Sequence, residues 1–346
     1  MAKACDNPSM SELWYTLGPR TLGRESEVAE AGATGVRLTF SYSTAPYQLE
    51  RATEHRRMAE RLGRPFLVIA DLAGEKFRLG TFEGPPSFSA ADGRHFKLIL
   101  GQVSRPAVDD VLTVTSAAFF SQVRKGDFVV VGDGAAELYV DEITDDGVEL
   151  TVSAGGTINH TRGLTVRGSN FQPRCLTEKD MADLAFVSRA DAFDAVALSF
   201  VAGSADIERA RAVLGPQSTI IAKIETAAGV ADASRICEAA DVVMAARGDL
   251  ALTVPWLELP WAVAEIEAAA LTAGTPWIVA TQLAEGLERF ILPTRAEICD
   301  LAHWMSRGCA GALVSYETAF GSHPVEATRC VRLLMDRWSP KATATE

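Results

Sequence analysis

Eight short apolar runs, separated by longer segments with helical periodicity, set the strongest limit on what this chain can fold into. The runs are Trp14 to Leu17, Val36 to Leu38, Phe66 to Ala70, Val196 to Leu198, Ile220 to Ala222, Val242 to Ala245, Trp277 to Ala280 and Ala312 to Val314. Between most of them lie alanine-rich, charged stretches with helix-like spacing: Gln48 to Leu62, Glu178 to Arg189, Ser204 to Leu214, Val230 to Ala239, Trp256 to Ala273, Thr294 to Arg307 and Pro324 to Trp338. Buried-type strands alternating with amphipathic helices predict a parallel sheet covered by helices. Eight such units predict closure into a (β/α)8 TIM barrel rather than an open sheet.

One gap breaks the rhythm. Residues 81–172 contain β-rich pieces at Phe96 to Leu100, Val111 to Val114, Asp127 to Val131, Ala136 to Val140, Val148 to Val152 and Leu164 to Val166, punctuated by Gly-Asp, Asp-Gly and Gly-Gly turn signals. The reading is an α/β chain in which residues 1–80 and 173–346 form the barrel and 81–172 an inserted β-rich lid domain. The Asp-Gly pairs at Asp133 and Asp146 belong to hairpin turns.

Composition narrows the function. With 33 Lys plus Arg against 45 Asp plus Glu, the formal charge is −12, which argues against a non-specific grip on nucleic acid or anionic membranes. The six cysteines form no CxxC pair, so reduced thiols in a cytoplasmic protein are expected. The N-terminal stretch lacks a signal-peptide pattern, and no uncharged apolar stretch is long enough to span a membrane.

Candidate chemistry sits where the apolar runs end. Lys223 and Glu225 are two residues apart at the close of a strand, so their side chains point to one side of the sheet. They form either one pocket for an anion and a metal, or a structural ion pair at the barrel rim. The next run leads into Ala246-Arg247-Gly248-Asp249: Gly248 can turn backbone N–H groups toward an anion, and Asp249 can share a metal with Glu225 or cap a helix. Two carboxylates, completed by substrate oxygens and water, suit Mg2+ or Mn2+. Thr281, Gln282, Ser315 and Glu317 follow the last two runs. Arg37, Lys76, Arg78 and Lys223 concentrate positive charge suited to a phosphate or carboxylate, with Asp71 and Ser41 nearby in sequence. Phosphate-loop, dinucleotide-loop and HExxH patterns are absent, and the five histidines show no metal-ligand spacing.

In order along nearly the whole chain, the segments Thr16-Leu17-Gly18-Pro19, Val36 to Ser41, Ile221 to Glu225, Ala246 to Leu250, Ala280 to Gln282, Pro293 to Glu297 and Ser315 to Ala319 resemble the pyruvate kinase family. The resemblance implies metal-assisted phosphoryl transfer between an enol phosphate, such as phosphoenolpyruvate, and a nucleoside diphosphate. By that likeness Lys223 touches the transferred group, Glu225 and Asp249 ligate Mg2+ or Mn2+, and Thr281 serves the enol carbon. Arg37 and Arg78 look like its phosphate-binding arginines, Ser199 lies in its substrate-binding segment, and Ala246, Arg247, Gly248 and Asp249 occupy the loop that receives the substrate carboxylate.

The sequence also departs from that family. Thr39 stands for an Asn and Tyr42 for a His, while Leu72 and Lys76 resemble potassium-independent members, so Lys76 is expected to replace K+ and no K+ requirement is expected. Val201-Ala202-Gly203 replaces an Arg-Lys element, and Arg162 stands where the lid ends in Lys, which puts contact with ADP or ATP in question. The chain ends soon after the eighth unit, which implies neither the family's C-terminal domain nor activation through it; a homodimer is the expected assembly. Three readings stay open: a phosphotransferase, a metal-dependent lyase or aldolase acting on a 2-oxo acid without nucleotide, and a non-catalytic binding or regulatory barrel.

Overall fold

A computed structural model describes residues 11–41, 43–167 and 171–340. Eight parallel strands close into a barrel: β1 (Glu12–Thr16), β2 (Gly35–Thr39), β3 (Leu67–Asp71), β4 (Ala195–Leu198), β5 (Thr219–Ile224), β6 (Val242–Ala246), β7 (Trp277–Ala280) and β8 (Gly311–Val314). Each strand pairs with its sequence neighbour among the eight, and β1 pairs with β8. All eight apolar runs are therefore barrel strands, within a residue or two at their ends.

The strands' period of two sorts their side chains. One parity fills the interior, where bulky Trp14, Ile69, Ile221, Met244 and Ile278 interleave with small Ala195, Ala197, Ala246 and Ala280. The other parity, including Tyr15, Val36, Leu38 and Val68, packs with Ala29, Ala52, Met58 and Phe66 in a second core. Continuing the interior parity one step toward the strands' C-terminal ends gives Arg37, Asp71, Ser199 and Lys223. Register agrees: Thr39 and Ala197 both stand opposite Asp71, the last residue of β3.

The long helices follow the sequence signals. The helix Ala45–Leu62 starts three residues before the sequence-based limit because Pro46 fits its first turn, and it stops at Gly63 in a left-handed conformation. Thr177 and Thr294 each open a helix with a capping box, reciprocally bonded to Asp180 and Glu297. The expected Val230 to Ala239 helix is instead two, Ala227–Ala231 and Ala233–Ala239, broken at Asp232.

The chain divides into two compact units. The barrel unit takes the described residues up to Gly74, Cys175–Gly248 and those from Trp261; the second takes Glu75–Arg174 with Asp249–Pro260. The second unit holds a seven-stranded sheet in the order Phe77–Arg78, Gly163–Arg167, Phe128–Val131, Ala136–Thr144, Gly147–Ala154, His95–Leu100 and Val111–Val114. Two short pairs accompany it, Gly156–Asn159 with Ser87–Ala90 and Thr81–Phe82 with Val103–Ser104. Its own core includes Phe77, Phe96, Leu98, Phe119, Leu138 and Leu150, each burial contributing roughly 1.5–3 kcal/mol. Among the described residues no helix is long and apolar enough to cross a membrane.

Candidate functional site

Period two carries Lys223 to the interior side of β5, and Glu225 follows it just past the strand. Lys223 Nζ lies 3.1 Å from Glu225 Oε1 and 3.2 Å from Asp71 Oδ1, and donates to Ser199 Oγ at 2.7 Å. Ser199 passes its own proton to the Leu72 carbonyl at 2.7 Å, which leaves its oxygen lone pairs for the ammonium. Arg37 from β2 closes the group, with Nε 3.4 Å from Asp71 Oδ2 and Nη1 3.5 Å from Ser315 Oγ. Asp71, Ser199, Lys223 and Glu225 are all buried. Charges persist in such a place only when paired and hydrogen-bonded, and two cations balance two carboxylates here.

Glu225 is held at both oxygens, since Oε2 also accepts from the Phe200 N–H at 2.7 Å. Phe200 has a left-handed φ of 56°, unusual for a bulky residue, and this bend aims its amide at the carboxylate. Arg37 Nε and Asp71 Oδ1 are buried without a hydrogen bond of good geometry among the described residues. Of the two, only the Arg37 Nε–H is a donor, so it is the one that could turn to a bound anion; Asp71 Oδ1 faces the Lys223 ammonium.

A second strained segment follows β7. Thr281 and Gln282 have φ of 77° and 55°, and positions of this kind cost of order 1–3 kcal/mol each. Gly248 makes room for them: a Cβ there would lie 3.1 Å from both Thr281 Oγ1 and Thr281 Cγ2. Arg247 points back across the segment, donating from Nε to the Ala280 carbonyl at 3.3 Å and from Nη2 to the Thr281 carbonyl at 2.6 Å. Beyond the bend, buried Glu317 accepts from the Leu283 and Ala284 N–H groups at 3.0 and 3.2 Å and from Ser315 at 2.8 Å. Burial first, then repulsion from Glu317, raises the carboxyls of Glu285 and Glu288 above the usual range.

The barrel unit thus brings Arg37, Ser199, Lys223 and Glu225 together, with Ala246, Arg247, Gly248 and Thr281 at the ends of β6 and β7. Lys76, Arg78, Arg162 and Asp249 belong to the second unit. There Lys76 Nζ grips Asp249 at 2.9 and 3.2 Å, and Asp249 lies in the first turn of the helix Arg247–Thr253. Arg78 reaches the Thr161 carbonyl at 3.4 Å, and the exposed Arg162 accepts from the Leu79 N–H at its carbonyl. Tyr42, which stands for the family's His, lies outside the described residues.

Sequence reading passed over two residues. Asp300 is joined to Arg247 at 2.5 Å across 53 positions, and nothing in an amphipathic helix pattern marks it. Phe200 contributes only through its backbone, which carries no side-chain signal.

Oxygen donors suit a hard divalent cation, and Glu225 and Asp249 are of that kind. Among the described residues no group of three or more His, Cys, Asp or Glu side chains is placed to hold a metal ion. The histidines do other work: buried His55 receives the Tyr15 hydroxyl proton at Nε2, 2.6 Å away, and packs on Phe66. Burial raises the Cys309 thiol to about 12, too high for a nucleophile at neutral pH.

Comparison with known proteins points to one family. The family described as "Pyruvate kinase, barrel domain" matches residues 10–328. A pyruvate kinase of Mycobacterium intracellulare is 34% identical over 334 residues, covering 95% of this chain and 70% of that protein. Pyruvate kinase 2 of Synechocystis sp. is 32% identical over 341 residues, and the chain spans 57% of its length. A Thermotoga maritima pyruvate kinase is 30% identical, with 92% of this chain and 69% of that protein covered.

Proposed function

Because the chain belongs to the pyruvate kinase family, we propose that it transfers a phosphoryl group between an enol phosphate, such as phosphoenolpyruvate, and a nucleoside diphosphate. The observation that carries this reading is the group that half-buried Arg37 forms with buried Asp71, Lys223 and Glu225, which has matched charges yet a spare donor at Arg37 Nε.

In this reading Lys223 Nζ faces the oxygens of the group in transit, held in place by Asp71, Glu225 and Ser199. Transfer of this kind needs little covalent help from protein, so fixed positive charge and orientation supply most of the catalysis. Arg37 takes the phosphate, with Arg78 and Arg162 assigned to phosphate or nucleotide. Backbone of the Ala246-Arg247-Gly248 turn takes the substrate carboxylate. The bond from enol oxygen to phosphorus breaks as the diphosphate's terminal oxygen attacks phosphorus, and the enolate carbon then accepts a proton delivered by way of Thr281 Oγ1. A Mg2+ or Mn2+ ion on Glu225 and Asp249 would supply charge neutralisation and Lewis acidity when bound. Lys76 supplies the fixed positive charge assigned to a replacement for K+.

One observation favours a second reading, a metal-dependent lyase working on a 2-oxo acid without nucleotide. Val201-Ala202-Gly203 carries no cation, and the Ala202 N–H donates to Asp206 Oδ2 at the start of the helix Ser204–Leu214. Calorimetric titration with Mn2+, oxalate and a nucleoside triphosphate separates the two. The phosphotransferase reading expects oxalate to bind with Mn2+ and the nucleotide to bind as well. Oxalate binding without nucleotide binding selects the lyase, and failure of both rejects metal-enolate chemistry altogether.

A further inference from the structure

Arg247 lies in the turn assigned to the substrate carboxylate, but its guanidinium is committed elsewhere. Nε and Nη2 donate to the carbonyls of Ala280 and Thr281, and Nη1 donates to Asp300 Oδ2 at 2.5 Å. Asp300 is itself fixed, because Trp304 Nε1 donates to its other oxygen at 2.8 Å. Trp304 packs edge-on against Trp277, their ring centres 5.9 Å apart, and Trp277 is the first residue of β7. A closed frame results: it leaves the start of β7 through two tryptophans and one aspartate, and returns through Arg247 to the end of the same strand.

The frame holds the place where the backbone is least at ease. Thr281 is β-branched and has a φ of 77°, an outlier for that side-chain type. Relaxation to negative φ would rotate the Cα–Cβ bond and swing the hydroxyl away from its present direction. Arg247 opposes this by fixing the carbonyls of Ala280 and Thr281, which flank the Thr281 Cα, while Glu317 fixes the two amides after the bend. Gly248, next to Arg247, supplies the flat surface on which the Thr281 side chain rests. Only a planar fork reaches two carbonyls and a carboxylate at once, and a lysine ammonium lacks that shape.

We propose that Arg247 is a positioning residue that, backed by Asp300, holds the strained Thr281 hydroxyl in its working direction and does not bind substrate through its guanidinium. This rests on the assignment of Thr281 to the proton of the enol carbon.

The test compares the Mn2+-loaded parent protein with Arg247→Met, Arg247→Lys, Asp300→Asn, Thr281→Ala and the Arg247→Met/Thr281→Ala double variant. Oxalate affinity is measured by calorimetry, and exchange of pyruvate C3 protons with deuterated water by NMR. Arg247→Met is expected to keep oxalate affinity within about threefold and KM for pyruvate unchanged, while kcat for exchange falls about a hundredfold, the scale of an ångström misplacement. The double variant should exchange no more slowly than Thr281→Ala alone, and Arg247→Lys should not restore the rate. Asp300→Asn, which leaves the guanidinium present, should lower exchange without weakening oxalate, and it serves if Arg247→Met does not fold. A tenfold or greater loss of oxalate affinity in Arg247→Met, or losses that multiply in the double variant, would overturn the proposal in favour of direct binding. Should the parent neither bind oxalate with Mn2+ nor exchange pyruvate protons, the proposed function fails. Crystal structures of Arg247→Met and Asp300→Asn then decide the positioning role alone: Thr281 leaving positive φ supports it, and Thr281 unmoved refutes it.

Discussion

Glu225 spends one oxygen on Lys223 and the other on the Phe200 amide, so its carboxylate is already aimed before any ligand arrives. Glu225→Gln keeps the size and one oxygen but removes the charge that a hard cation needs. Oxalate binding in the presence of Mn2+ should weaken by about a hundredfold or more while circular dichroism stays unchanged. Undiminished Mn2+ affinity in that variant would remove Glu225 from the metal site. Lys76 gives a second prediction at this scale. Its ammonium pairs with Asp249 within one unit, and the proposed replacement of K+ has this chain-borne charge do what a free ion would. Turnover should be nearly equal in potassium chloride and in tetramethylammonium chloride at matched ionic strength, and Lys76→Ala should lower it. A strong potassium requirement in the parent, with Lys76→Ala unchanged, would leave Lys76 as an ordinary rim residue. Much of the site was legible because strand periodicity alone puts Lys223 and Glu225 on one side and next to the interior residues of neighbouring strands. The Arg247 clamp was not legible, since the direction of a guanidinium is decided by Asp300, remote in sequence and set on an otherwise ordinary helix.

Helix termini carry the next level of organisation. Thr294 Oγ1 accepts from the Glu297 N–H at 3.3 Å, Glu297 Oε2 accepts from the Thr294 N–H at 2.6 Å, and Glu297 Oε1 accepts from the Gly286 N–H at 2.8 Å. One carboxylate thus starts the helix Arg295–Ser306 and ties down the short 3-10 helix Glu285–Glu288. Thr294→Ala should cost about 1 kcal/mol in urea unfolding, the usual value of a cap. Glu297→Ala should cost more, because Gly286 loses its partner as well; equal costs would show that the tie to Gly286 contributes nothing. Its capping box came into view only with the structure, but this helix was readable from its helical spacing, as the barrel strands were from their runs. The two-residue strands Thr81–Phe82 and Val103–Ser104 were not, being too short to show a period. The helix Arg247–Thr253 was only half legible: Gly248 read as a bend and Asp249 as a metal ligand or the cap of a following helix, whereas both lie inside the helix's first turn.

At the scale of the whole molecule, stability should depend on the charge state of one buried imidazole. His55 is 1% exposed, and both its ring nitrogens are bonded: Nδ1 lies 2.7 Å from the Arg51 carbonyl and donates to it, while Nε2 lies 2.6 Å from the Tyr15 hydroxyl, from which a neutral ring accepts. Burial raises the Tyr15 hydroxyl well above its ordinary range, so the tyrosine cannot relieve a protonated ring by ionising. Burial likewise dominates at His55 and lowers its pKa, outweighing the Arg51 carbonyl and the carboxylates of Glu25 and Glu54, which act the other way, while Arg51 adds to the lowering. The unfolded chain, with a histidine near its ordinary pKa of about 6.5, then binds more protons than the folded one at pH below that value. Stability contributed by His55 is therefore complete above about pH 6.5 and is lost as pH falls toward the lowered folded value. Glu12, Glu285 and Glu288 have raised carboxyls and contribute the opposite slope at lower pH, so the parent's profile alone mixes the signs. Comparison with His55→Gln isolates the term, because glutamine stays neutral throughout and the carboxyls are common to both proteins. Urea unfolding from pH 8 to pH 5 should show the parent losing stability relative to His55→Gln as pH drops below about 6.5. If the difference between the two proteins stays constant across that range, the ring accepts a proton in the folded state as readily as in the unfolded chain, and the Tyr15–His55–Arg51 arrangement does not hold it neutral.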